Sequence, residues 1–358
     1  MKLIDRYILK KFFGTFLLLM LLFIPIGITV DIAEKIDNML RNNAKLDAVL
    51  SYYLDFTVHF ANLLFPLFVF LSVIWFTSKM ANNTEIIAIL SSGVSYNRFL
   101  KPYFIGIGFL AAVSLLMGMY LVPDASRGYN DFVYKYVSST SPTNGQNIYR
   151  QINPNEIIYV NSFNPDTKIG TYFTLEHFKE NRLLFRIEAT NIQYNPSDSL
   201  FRLSGYTKRI IGEKGKDRIE DKRRLDTILP FDIGDLAPVS YVAETLSYHE
   251  LTTFIDKEES RGSSFIDRYK VVKYKKWSVP VTLFILGIIG VAVSSVKRRG
   301  GMGVNLTFGM AVAMIYVFFD KIFGVLADQS NFDPLLAVWT PNIFFGFIAL
   351  YLIRYARR

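Results

Sequence analysis

Residues 102–122 read PYFIGIGFLAAVSLLMGMYLV, an uncharged apolar run that gives way at once to Pro123, Asp124 and a polar stretch. Its length matches the ~20 residues an α-helix needs to cross a hydrocarbon core. Comparable runs occupy residues 12–30, 54–78, 277–296, 304–326 and 337–353, while 124–272 has the composition of ordinary soluble protein. In a 358-residue chain that is 51% hydrophobic, 15% aromatic and 20% charged, runs this long exceed what a soluble core hides. The pattern defines a polytopic α-helical membrane protein with six transmembrane helices and one large insert between helices 3 and 4. A purely soluble enzyme, a disordered chain and a collagen-like chain are excluded.

Charge orients the spans. The chain opens Met1-Lys2-Leu3-Ile4-Asp5-Arg6-Tyr7-Ile8-Leu9-Lys10-Lys11, basic and amphipathic, ahead of the first apolar run. That run is too long for a signal peptide, and Pro25 to Asp31 offers no small-x-small cleavage site, so an uncleaved first span is expected. One set of span ends carries Lys2, Arg6, Lys10, Lys11, Lys79, Arg98, Lys101, Lys297, Arg298, Arg299, Arg354, Arg357 and Arg358. By the positive-inside rule this set is cytoplasmic, both termini are inside, and the insert is outside. The opposite short loops mix Asp31, Glu34, Asp37 and Asp47 with Lys35, Arg41 and Lys45, followed later by Asp328 and Asp333. Arg268, Lys270, Lys273, Lys275 and Lys276 break the pattern just outside span four. The net charge of +9 therefore serves mainly to orient the chain, and nucleic acid is not expected as a partner. With no cysteine and three scattered histidines (His59, His177, His249), thiolate chemistry is excluded and a histidine-rich metal site is not expected.

Within the insert, residues 146–211 alternate as half-buried antiparallel strands do. The expected strands are Glu156–Phe163, Gly170–Phe178, Leu183–Ile192 and Ser199–Ile211. Asn164-Pro165-Asp166, Lys179-Glu180-Asn181-Arg182 and Asn195-Pro196-Ser197-Asp198 supply turn chemistry between them. Asp217–Arg224 reads as a solvated loop or hairpin end. A sandwich and an open barrel both fit the strands. Ser247-Tyr248-His249-Glu250 forms a capping box opening a connector helix that runs to about Ser260 and stops at Gly262.

Catalytic signatures are absent. Gly212-Glu213-Lys214-Gly215-Lys216 lacks the spacing and hydroxyl of a phosphate loop, and neither H-E-x-x-H nor G-x-S-x-G occurs. Intramembrane polar candidates are His59 and Asn62 in span two, near Pro66, and Asp320 with Lys321 in span five. Between spans two and three, residues 83–91 predict a short helix with Glu85 in its first turn. Its Ile86, Ile87, Ile89 and Leu90 are too apolar for a free loop. Gly93 ends it, and Ser95 caps the next helix, which carries Arg98. Two readings stand: docking into a groove of a soluble partner, and an interfacial helix on lipid headgroups. The second normally carries Lys or Arg on its polar face; here that face offers Asn, Thr, Glu and Ser.

These features together resemble the lipopolysaccharide-export permease family, LptF/LptG. The resemblance rests on Ile4-Asp5-Arg6-Tyr7-Ile8, on Thr84-Glu85-Ile86 to Ser92-Gly93-Val94-Ser95, and on the connector Leu251–Gly262–Tyr269 with Lys276 and Pro280. It continues through Gly300-Gly301-Met302-Gly303, Tyr316, Asp320-Lys321-Ile322-Phe323-Gly324 and Trp339-Thr340-Pro341-Asn342. Order and spacing hold across nearly the whole chain, and the Asp320–Gly324 stretch leans toward LptG.

The resemblance implies transmembrane helices 1–3 in 1–123, with a cytoplasmic coupling helix at about 83–92. A periplasmic β-jellyroll-like domain follows in 124–246, a connector helix in 247–272, and transmembrane helices 4–6 in 273–358. It also implies a non-catalytic permease subunit of an ATP-driven exporter in the bacterial inner membrane. The implied partners are a second LptF/LptG-type permease, an LptB-like ATPase dimer, an LptC-like single-span protein and a periplasmic LptA-like bridge. Lipopolysaccharide is the cargo; the chain binds no cofactor directly, and ATP-Mg sits on the partner ATPase. Glu85, Ile86, Ile89, Leu90 and Gly93 would couple to the ATPase, with Glu85 meeting a basic site and the apolar residues filling a groove. Family members often hold lipid A phosphates with lysines at the outer end of span one. Here that stretch is mostly acidic, so Lys35, Arg41, Lys273, Lys275, Lys276 and Lys321 are the candidates. Phe173 and Leu175 are candidates for the lipid path. The alternatives are an ABC-type mechanotransmission subunit acting on periplasmic proteins without moving lipid, usually with four spans, and a membrane enzyme, for which no paired acid and base exist.

Overall fold

In the computed structural model, the chain is described over residues 3–137, 148–164, 167–180, 182–195, 198, 200–212, 216–231, 236, 242–260, 265–296, 301–330 and 332–356. Lys2, Gly262, Lys297, Arg298, Arg299, Gly300, Arg357 and Arg358 lie outside this set, as do residues 165–166, 181 and 196–197 of the expected turns. Among the described residues, six helices are long and apolar enough to cross a membrane. They involve α1 (Leu3–Arg41), α2 (Leu46–Asn82), α4 (Tyr96–Leu116) continuing through α5 (Val122–Phe132), α8 (Ile266–Ser294), α9 (Gly301–Gln329) and α10 (Pro334–Ala356). The short helix α3 is Glu85–Ser91. π-helical turns at Met117–Leu121 and Val133–Val137 interrupt the third span, which stays helical to Val137. Residues 124–137, which the sequence groups with the insert, are thus helical.

The chain divides into two compact units. One holds α1 up to Ile36, residues 45–129 and everything from Asp267 on; the other holds residues 37–44 and 130–266. In the first unit α2 and α8 are the most buried spans, while α1 and α9 leave apolar faces open at Leu17, Leu21, Met314 and Phe318. Lipid tails are as apolar as leucine, so burial alone does not bring spans together; close packing and polar contacts do. Gly309 shows the packing, since a Cβ there would stand 2.2 Å from Ile74 Cδ1. Thr282 of α8, Tyr316 of α9 and Asn342 of α10 show the polar part. Their hydroxyls and amide oxygen form a buried triangle with 2.7, 2.9 and 3.1 Å sides. Thr77 and Tyr103 (3.0 Å) join α2 to α4, and the Asn305 amide donates to Ser78 Oγ (3.1 Å) to join α9 to α2.

The second unit is built on one antiparallel sheet whose strands follow chain order. They are β1 (Ile148–Asn153), β2 (Glu156–Asn164), β3 (Ile169–Lys179), β4 (Arg182–Asn195), β5 (Leu200–Ile210) and β6 (Arg218–Thr227). The expected alternation holds, with one break per strand that runs as a line across four of them. Buried positions step from Val160 to Phe163, from Phe173 back to Gly170, from Ala189 to Ile192 and from Tyr206 back to Leu203. Two residues instead of one separate each pair while the pairing register stays the same, so the alternation changes phase at one place on all four strands. Tyr172 (φ +50) and Gly205 (φ +65) sit on this line in the left-handed region. Both halves of the sheet thereby cover a single apolar core, in which Phe173, Leu175, Phe201 and Leu203 meet Phe231 and Leu236. This is a jellyroll-like domain between helices 3 and 4. The helix α6 (Val242–Thr245) and the connector α7 (Tyr248–Ser260) follow. The capping box forms as expected: Ser247 N donates to Glu250 Oε2 (2.9 Å) and Glu250 N to Ser247 Oγ (3.4 Å).

One reading is corrected. Past Asp217, the stretch Asp217–Arg224 is not a loop but the first part of β6, which pairs with β5 from Ile210↔Arg218 to Phe201↔Thr227. Its charge reflects an edge position, where charged side chains deter pairing with other chains. Arg209 holds the Asp217 carboxyl below the usual carboxylate range, aided by the Gly212 amide; Arg224 and then Arg202 do the same for Asp226. A carboxylate depressed in the folded state contributes stability above its unfolded value of about 3.9 and loses it as pH falls through the folded value. Hydrogen exchange should therefore show β6 amides protected at neutral pH and losing protection below about pH 4, ahead of β3 and β4. Loss of protection in all strands together would contradict this assignment.

Candidate functional site

At one end of the bundle the first turn of α1 meets α3 and α4. Thr84 (φ +61) and Gly93 (φ +86) turn the chain sharply on either side of α3, and glycine bears the second conformation without strain. Ser95 Oγ accepts from Arg98 N (3.4 Å) and caps α4 as its sequence position suggests. Asp5, buried in α1, receives both Arg98 guanidinium nitrogens, at 2.6 and 2.8 Å. Such a bidentate fork fixes orientation as well as distance. Tyr7 OH donates to Glu85 Oε2 (2.8 Å), and the Asn83 amide donates to Oε1 (3.1 Å). The Glu85 carboxylate is therefore held in place by two neutral donors.

The apolar residues of α3 divide between two faces. Ile86 is 2% exposed within the core of the bundle, and Ile89 and Leu90 pack against that core. Ile87, 53% exposed, is the large apolar side chain this helix presents outward. It lies beside exposed Ala88 and Ser91. Ile87 was visible in the sequence as part of an apolar run, but only the packing decides which isoleucine faces out.

The candidate phosphate-binding cations have different surroundings. Lys35 Nζ lies 2.5 Å from Asp31 Oδ1 and donates to Tyr52 OH (2.7 Å) and Tyr129 OH (3.3 Å). Tyr52 OH donates in turn to Asp31 Oδ2 (2.8 Å). His59 stacks on Tyr129 with ring centres 5.1 Å apart, and its Nδ1 lies 3.1 Å from Ser126 Oγ. This lysine thus sits inside a polar knot joining α1, α2 and α5. No local pattern announces the knot, because Tyr52 and Tyr129 lie 17 and 94 positions from Lys35. Lys275 pairs with Asp320 (2.8 Å), and Lys276 donates to the Gly118 carbonyl (2.8 Å) at the first π-helical turn. Lys273 is half-buried, whereas Arg41 and Lys321 are exposed. Phe173 and Leu175 point together into the apolar core of the sheet. Among the described residues, no group of three or more His, Cys, Asp or Glu side chains is placed to hold a metal ion.

Six spans, a jellyroll-like sheet inserted after the third, and a short helix clasped at one end of the bundle define a multi-pass membrane protein of the permease class. The chain belongs to the LptF/LptG family: the family model described as lipopolysaccharide export system permease LptF/LptG matches residues 6–355. Members of this family are lipopolysaccharide export permeases and non-catalytic membrane subunits, and the description covers LptF and LptG alike. No curated protein matches the chain.

Proposed function

We propose that this chain is the permease subunit of an ATP-driven exporter that extracts lipopolysaccharide from the inner membrane and passes it through its β domain toward the outer membrane. The family match over residues 6–355 is the observation that carries this reading. In it, the end of the bundle bearing Asp5, Glu85 and Arg98 faces the cytoplasm, and the β domain faces the periplasm, as the positive-inside rule suggests. A separate LptB-like ATPase dimer holds ATP and Mg²⁺. It docks on α3, where Glu85 meets a basic side chain and Ile87 enters an apolar groove. Ile86 and the Asp5–Arg98 fork pass the resulting motion into α1, α2 and α4, since Ile86 and Asp5 are buried in the bundle and Arg98 grips Asp5 with both guanidinium nitrogens. A second LptF/LptG-type permease pairs with this chain, and an LptC-like protein and an LptA-like bridge receive the cargo. Lipid phosphates meet the exposed cations Arg41 and Lys321 more readily than Lys35, whose ammonium already has a carboxylate partner. Acyl chains travel along the apolar side of the sheet, past Phe173 and Leu175.

Purifying the full chain from its native membrane and identifying what travels with it tests the assembly. A companion permease and a small soluble ATPase are expected. A folded chain recovered without any nucleotide-hydrolysing partner would contradict the reading.

A further inference from the structure

A groove of about 780 Å³ crosses β2 to β5 along the row of Tyr159, Thr174, Glu188 and Thr207, with Tyr149 of β1 at its rim and Phe173 also among its lining. Pockets of about 300–1,000 Å³ are the usual size for holding a small ligand. Its walls combine two kinds of chemistry. Tyr149 and Tyr172 are 66% and 65% exposed, and the Tyr149 ring lies 4.5 Å from that of Tyr159. Tyr172 holds its position through a left-handed backbone, φ +50, which a bulky residue adopts only at a cost. Arg186 stands between Glu176 and Glu188, with its Nε 3.6 Å from one carboxylate and 2.8 Å from the other. That Nε is buried and makes no hydrogen bond. Thr174, Thr190 and Thr207 add hydroxyls, and Gly205 keeps the floor open, since a Cβ there would come 2.5 Å from Thr190 Oγ1.

This lining selects among ligand classes. Two carboxylates against one guanidinium give the groove a net charge of −1, which repels phosphate. A hydrocarbon chain would take water from the Glu176–Arg186–Glu188 cluster and from the threonine hydroxyls and offer them no hydrogen bond in return. A β-strand peptide pairs with a free sheet edge, and this groove lies over the middle of the sheet. Flat aromatic faces beside paired acids, a guanidinium donor and hydroxyls suit a ligand with C–H faces and many hydroxyls. We infer that the groove binds oligosaccharide, the hydroxyl-rich part of the exported glycolipid. This inference rests on the lipopolysaccharide reading above.

The test uses the full chain in lipid nanodiscs with three probes: complete lipopolysaccharide, lipid A stripped of sugar, and core oligosaccharide freed of lipid and phosphate. Saturation-transfer NMR should show the freed oligosaccharide contacting the wild-type chain. The double variant Tyr149→Ala/Tyr172→Ala should weaken that binding about tenfold or more while lipid A binding stays unchanged. If the double variant fails to fold, Glu188→Gln, at an exposed carboxylate, takes its place with the same expectation. Unchanged oligosaccharide binding in the variant overturns the inference, as does an equal loss of lipid A. Loss of a co-purifying protein with sugar affinity intact would make the groove a protein interface and overturn it too. If complete lipopolysaccharide and lipid A bind but the oligosaccharide does not, the groove assignment fails and the export reading stands. If the wild-type chain binds none of the three, both fail.

Discussion

Replacing Glu258 by alanine is expected to destabilise the β domain by about 3–5 kcal/mol, the cost of stranding a buried charge. Glu258 of α7 receives Arg150 Nη2 of β1 at 2.7 Å, and the two side chains are 1% and 7% exposed. Water screens such a pair little, so without Glu258 the guanidinium keeps its desolvation cost and loses this bond. The pair also ties the connector helix to the first strand, the element that begins the sheet. Hydrogen exchange of the full chain should show protection in β1 and α7 falling about a hundredfold or more. Replacing both partners by apolar residues, Arg150→Met with Glu258→Leu, should recover most of the loss. Protection unchanged in Glu258→Ala would mean that water reaches the pair.

Charge reversal at Glu85 should have the largest functional effect. Truncating one side of a buried, hydrogen-bonded charge pair at an interface costs about 2–5 kcal/mol, and reversal adds repulsion. Glu85→Arg is therefore expected to weaken ATPase association by thirtyfold or more and to stop export. The chain should remain folded, because Glu85 contributes only hydrogen bonds from Tyr7 and Asn83 to its own bundle. Glu85→Gln removes the charge, keeps an acceptor oxygen for the Asn83 amide and turns the Tyr7 contact round, its NH2 donating to the Tyr7 hydroxyl, so it should fall between wild type and Glu85→Arg. Undiminished co-purification of the ATPase with Glu85→Arg would reduce Glu85 to a charge at the start of a helix.

What the sequence revealed follows from how local each signal is. The spans, the Ser247–Glu250 box, the Gly93 stop and the Ser95 cap depend on residues within a few positions of one another, and all appear where expected. β6 escaped because both of its faces are polar, which erases the period-two pattern and leaves only charge to read. The outward turn of Ile87 and the burial of Ile86 depend on which side of α3 meets α1, α2 and α4, and no residue within α3 encodes that. Lys35 looked like an exposed cation at a span end until Tyr52 and Tyr129, 17 and 94 positions away, supplied its surroundings. The groove near Gly205 was equally hidden: five strands contribute to it, and only the register of β2 to β5 brings Tyr159, Thr174, Glu188 and Thr207 into one row.

In the export cycle proposed above, lipopolysaccharide passes through the β domain when a partner hydrolyses ATP. A photoreactive residue placed at Phe173 or Leu175 in living cells would capture it in passage. A covalent adduct with lipopolysaccharide is expected under illumination, and it should disappear when the partner cannot hydrolyse ATP. Illumination that yields no ATP-dependent adduct at either position, in a chain shown to be assembled and folded, would contradict this passage.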